Sequence, residues 1–116
     1  MFAAALCLIT TPVLAGEAEI LDVSGSQIGG SWRFEVTVRH GDTGWDHYAD
    51  GWSINTPDGR ELGFRKLLHP HVDEQPFTRS LGNVVVPAGV TQVIVRVHDS
   101  VHGWSSKTYT YALGGS

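Results

Sequence analysis

The segment "LLHPHVDEQPF", residues 67–77, holds two imidazoles on either side of one proline, with two carboxylates directly behind them. Pro70 favours extended backbone for the residue before it, so His69 and His71 project to one side of the chain, within reach of one ion. "VHDSVHGW" ends a strand pattern on His98 and carries His102 across a short turn, where Gly103 permits close backbone approach. His40 and His47 flank a third loop, "HGDTGWDH". Imidazole combined with carboxylate is the donor set of zinc and Cu(II) sites, tetrahedral for the first and tetragonal for the second. The candidate ligands are therefore His69, His71, His98, His102, His47 and His40. Asp46, Asp99 and Glu74, with Asp42 and Asp73, lie in the same loops and could orient the rings by accepting a ring N–H, or ligate directly.

Each of these residues also has an ordinary use. His98 and His102 can cap their turn through a carbonyl, and Asp99 can close an Asx-turn with Ser100 or Val101. His40 shares the inward parity of Val36 and Val38, which suits a buried rim histidine. Trp45, Tyr48 and Trp104, in or beside the same loops, offer an alternative ligand platform. They are a stacking surface for a glycan or an exported protein partner, or else they cap the open end of the core. Six imidazoles together would also form a pH-responsive surface, since an unperturbed imidazole titrates near pH ~6.5. Ser100, His102 and Asp99 are the residue types of a hydrolase, but neighbours on one turn do not supply nucleophile, base and orienter geometry, and no nucleophile elbow is present. A binding protein is expected here, not an enzyme.

The elements that must position these loops are strands. "WRFEVTVRH" alternates Trp32, Phe34, Val36 and Val38 against Arg33, Glu35, Thr37 and Arg39, and "QVIVRVHD" turns Val93, Val95 and Val97 to one side. "KTYTYAL" does the same with Tyr109, Tyr111 and Leu113. Turn signals recur about every ten residues and divide the chain into strands near 17–24, 32–40, 47–55, 60–68, 77–86, 92–99 and 104–113. Seven short strands in about 100 residues predict a single all-β, immunoglobulin/fibronectin type III-like antiparallel sandwich. Trp52, alternating with Ile54, belongs to its core. With strands reversing in turn, the second, fourth and sixth loops share one end, and they contain or border all six histidines.

Residues 1–15, "MFAAALCLITTPVLA", carry no charge and close on a small-x-small pattern before Gly16, which reads as a secretory signal peptide ahead of a domain at 16–116. The run is shorter than the roughly 20 apolar residues of a membrane span and contains Pro12, so no membrane insertion is expected after processing. Leu6 stands before Cys7 where a lipoprotein signal has a small residue, which argues against lipidation. The one Cys and the one Met both lie in this leader. The domain is therefore free of disulfides, and blue-copper and soft Cu(I) sites are excluded. A net charge of −4 argues against nucleic acid as a partner.

The segments "GWDHYADGW", "LLHPHVDEQPFTRSL" and "VRVHDSVHGW" resemble a family of small exported bacterial proteins of no established activity. The resemblance implies export, a β-sandwich and a shared histidine-bearing surface, and it transfers no catalytic residue. The sequence thus predicts a periplasmic or secreted protein that holds a divalent transition metal, Cu(II) or Zn(II), through histidines at one end of the sandwich. The alternative is a non-catalytic glycan- or protein-recognition module.

Overall fold

Strands form where apolar and polar residues alternate most strictly. A computed structural model describes residues 16–114; the signal peptide expected at 1–15 lies outside them. The strands are β1 (Glu19–Ile28), β2 (Ser31–Arg39), β3 (Ala49–Asn55), β4 (Glu61–Lys66), β5 (Phe77–Val84), β6 (Gln92–Asp99), β7 (Gly103–Trp104) and β8 (Tyr109–Ala112). They make two antiparallel sheets, one in the order β1-β2-β5 and the other β4-β3-β6-β7, with β8 also paired to β6. This is the expected immunoglobulin/fibronectin type III-like sandwich. No helix among the described residues is long and apolar enough to cross a membrane.

The inward residues of β2, β3 and β6 supply the centre of the core. Phe34, Val36, Val38, Trp52, Ile54, Val93, Val95 and Val97 have no solvent exposure. Burying one such side chain contributes about 1.5–3 kcal/mol, and without a disulfide this burial is the main support of the fold. Tyr111 adds a tether between the sheets. Its ring stands edge-on to Phe34, and its hydroxyl accepts the Gly25 N–H at 3.0 Å.

Two expected boundaries differ. The stretch from Gly25 to Ser31 was predicted as a loop, but β1 runs on to Ile28 and only Gly29 and Gly30 turn the chain, Gly29 at a φ of 64°. The glycine takes the left-handed conformation that closes a short hairpin. The seventh predicted strand, 104–113, is split into β7 and β8. Between them Ser106 gives its N–H and hydroxyl to the Glu17 carboxylate, and Lys107 gives its N–H to the Ser105 hydroxyl, so this stretch leaves the ladder.

A bulge matters more for function. Ala49 pairs with Asp99 and Gly51 with His98, leaving Asp50 as an extra residue on β3. Such an insertion re-aims side chains. Ala49 turns into the core, while Asp50 reaches out to His98.

Candidate functional site

The second, fourth and sixth loops meet at one end of the sandwich, and one carboxylate ties two of them together. His40 continues the inward parity of β2, and its side chain is fully buried. Two residues on, Asp42 folds back beneath it. Asp42 Oδ1 lies 2.5 Å from His40 Nδ1 and accepts the Ala49 N–H at 3.1 Å, while Oδ2 accepts the His71 N–H at 2.7 Å. Gln75 adds a second tie, accepting the His40 N–H at 2.9 Å and donating to the His71 carbonyl at 2.8 Å.

Asp99, the last residue of β6, is buried with no exposure. It closes the turn that its sequence position predicts, since Oδ1 accepts the N–H groups of Val101 at 2.9 Å and His102 at 2.7 Å. The same carboxylate faces three imidazoles. His47 Nε2 lies 3.3 Å from Oδ1, His102 Nδ1 lies 3.2 Å from Oδ1, and His40 Nε2 lies 4.0 Å from Oδ2. The His47 ring sits between the other two, with centroids 4.7 Å from His40 and 5.0 Å from His102. His47 Nε2 is buried and has no hydrogen-bond partner among the described residues.

The electrostatics follow from this crowding. Burial opposes a charge on His40, but the hydrogen bond and charge of Asp42, the charge of Asp99 and the Gly16 carbonyl outweigh it and raise its pKa. Its Nε2 lies 2.9 Å from that carbonyl, so the protonated ring donates from both nitrogens. Burial would favour the neutral acid of Asp99. The N–H groups of His102 and Val101, and the charges of His102 and His40, outweigh it and lower its pKa.

His40, His47 and Asp99 are the group that could hold a metal ion, with one donor atom from each lying within 4.8 Å of the other two. Ligand atoms of a tetrahedral zinc site, at metal distances of about 2.0–2.1 Å, stand about 3.3–3.4 Å apart. The distance from His47 Nε2 to Asp99 Oδ1 already has that length, whereas His40 Nε2 lies 4.0 Å from the other oxygen, Oδ2, and the three donors must draw in from separations of up to 4.8 Å. Asp42 on His40 Nδ1 is the carboxylate–histidine pairing that orients a ligating ring, and Nε2 can turn to an ion only by giving up its bond to the Gly16 carbonyl at 2.9 Å.

The remaining candidates fall elsewhere. His69 and His71 do sit together, with ring centroids 4.8 Å apart, but away from this group. His71 stacks on Phe77 at 3.8 Å, and its Nε2 accepts from Arg79 at 2.9 Å, so that lone pair is already engaged. Glu74 pairs with Arg79 at 3.3 Å instead of orienting a ring. His98 belongs to Asp50, with 2.6 Å between Nδ1 and Oδ1. Asp46 is exposed, and Asp99, expected behind the ligands, stands among them. Trp45 packs edge-on to Tyr48 at 5.5 Å, whereas Trp104 packs against Phe64 and His98. Asp42, one of the loop carboxylates expected to orient an imidazole, does so at His40. Nothing in the sequence pointed to the Gly16 carbonyl.

No family model matches the chain, and no solved structure matches it. The chain is 46% identical over 92 residues to a protein of Halomicrobium mukohataei named "Putative lipoprotein". The similarity covers 78% of this chain and 45% of that protein, so the chain spans less than half the length of the curated relative it matches.

Proposed function

We propose that this protein is an exported, non-catalytic binder of a divalent transition metal, Zn(II) or Cu(II). The ion is held by His40, His47 and Asp99, with His102 beside them and Asp42 orienting His40. The observation that carries this reading is the buried, unpaired Nε2 of His47, 3.3 Å from a carboxylate oxygen. Burying a polar atom without a partner is costly, and an ion between the two atoms would satisfy both. Nitrogen and oxygen donors with no sulfur suit Zn(II) and Cu(II). Export is part of the proposal. Residues 1–15 have the pattern of a secretory leader, and the name of the Halomicrobium relative is compatible with export and with attachment at a membrane surface.

Calorimetric titration of chelator-treated protein with Zn(II) and Cu(II) tests this. One ion per chain at submicromolar affinity, lost in His47→Ala, is the expected result. Binding that is unchanged in His47→Ala, or no binding above that of scattered surface histidines, would refute it.

A further inference from the structure

The outer face of the second sheet carries a constellation that metal binding leaves unused. Lys66, Gly51, His98 and Trp104 are successive partners across β4, β3, β6 and β7, so they stand in one row on one face. Phe64, two residues before Lys66 on β4, shares that face. A Cβ on Gly51 would run into the Phe64 ring, so this glycine lets the ring lie across β3 toward Trp104. The two rings meet edge to face, with centroids 6.3 Å apart. The bulge on β3 brings Asp50 to the same face, where it holds His98 Nδ1 at 2.6 Å. With Tyr48, these side chains line an open cleft of about 460 Å³, within the roughly 300–1,000 Å³ of small-molecule sites.

We propose that this cleft binds carbohydrate, seating a pyranose ring against Trp104 and Phe64 while Asp50, His98 and Lys66 bond its hydroxyls. A sugar ring presents an apolar C–H face and a rim of hydroxyls that both donate and accept. Its site therefore needs aromatic surface beside fixed polar groups of both kinds. Trp104 is 36% exposed and Phe64 43% exposed, so both rings keep free surface. Asp50 and His98 fix one another, and Asp50 Oδ2 and His98 Nε2 have no hydrogen-bond partner among the described residues. Such preorganisation lowers the entropy lost on binding.

Charge rules against the other occupants. A cation seated among the aromatics would meet Lys66 in the cleft and the Arg96 guanidinium, which lies 4.5 Å over the Trp104 ring. A wholly apolar ligand would strip water from Asp50 and Lys66 with nothing in return. The proposal is independent of the metal site, and its test is run in chelator so that the two stand or fall separately.

The test is NMR titration of the ¹⁵N-labelled protein with cellotriose, chitotriose, maltotriose and trigalacturonate, and with tetramethylammonium as a cationic probe. One or more of the sugars should give saturable shifts centred on the Trp104 indole and residues 48–51, 64–66 and 98–104, with Kd at or below about 1 mM. Trp104→Ala should abolish them, and Asp50→Asn or Lys66→Ala should weaken binding about tenfold. Lys66 is exposed, so its variant answers the question even if Trp104→Ala fails to fold. No saturable shift with any sugar, shifts from tetramethylammonium alone, or sugar shifts unaltered in Lys66→Ala and Asp50→Asn would overturn the proposal.

Discussion

His47 Nε2 lies 3.3 Å from Asp99 Oδ1, buried and without a hydrogen-bond partner among the described residues. Asp99 Oδ1 already accepts two backbone N–H groups, which fix its direction. The carboxylate is therefore preset, and His47 is the ring whose donor atom waits for something to bind.

An ion that binds only the folded protein stabilises it by mass action, by about 2.7 kcal/mol at a free concentration one hundred times its Kd. For a domain of this size, Tm should rise by roughly 10–20 °C in saturating Zn(II) or Cu(II). Chelator should reverse the shift, and His47→Ala and Asp99→Asn should each remove it, as read by differential scanning calorimetry.

The paired histidines of the fourth loop should not matter to this ion. His71 Nε2 accepts from Arg79, and neither ring belongs to the converging group. A His69→Ala/His71→Ala double variant should bind the metal with an affinity within about threefold of the parent, near the scatter expected of a distant change. A loss of tenfold or more in calorimetric titration would move the site to this loop.

Asp42 should be the most costly single carboxylate to remove. Its oxygens serve the His40 ring and the N–H groups of Ala49 and His71, all in a buried setting. Asp42→Ala strands those partners and an imidazolium, and should cost about 3–5 kcal/mol in urea unfolding. Where the variant folds, losing the carboxylate that orients the His40 ring should also reduce metal affinity about 10–100-fold.

His71 should make the domain acid-sensitive. Burial, and then the charges of Arg79 and His69, depress its folded pKa against the weaker opposing pull of Glu74 and Asp42. The unfolded chain, with a pKa of about 6.5, then binds the proton first, so stability falls as pH drops below about 6.5 toward the folded pKa. His71→Phe keeps the stack on Phe77 and removes the titration. The Tm difference between parent and variant should therefore move against the parent from pH 7 to pH 5. A constant difference across that range would show that His71 is not the group responsible.

Much of the fold was legible because strand alternation is a local property. Phe34, Val36 and Val38, and likewise Val93, Val95 and Val97, announce their buried face through neighbours two residues away. Trp52 was assigned to the core on the same ground, and it has no exposure. Alternation also set the parity of the loops, which gathers the histidine-bearing loops at one end.

Parity could not choose among the histidines, because it fixes which end a loop occupies and not where a ring points. The local motif at His69 and His71 looked the stronger pair, yet Arg79, eight residues beyond His71, takes its nitrogen. Asp99 looked like a turn-closing residue, which it is, and only packing against β2 and the second loop brings His40 and His47 onto its other side. A one-residue bulge on β3 sent Asp50 to His98 and away from this group. The sequence by itself determined a sandwich with its imidazoles at one end and no sulfur in residues 16–116, since composition and a period of two suffice for that. The tertiary structure alone decided which nitrogens remain unpaired, because that depends on distances of a few ångströms between residues as many as 59 positions apart, His40 and Asp99.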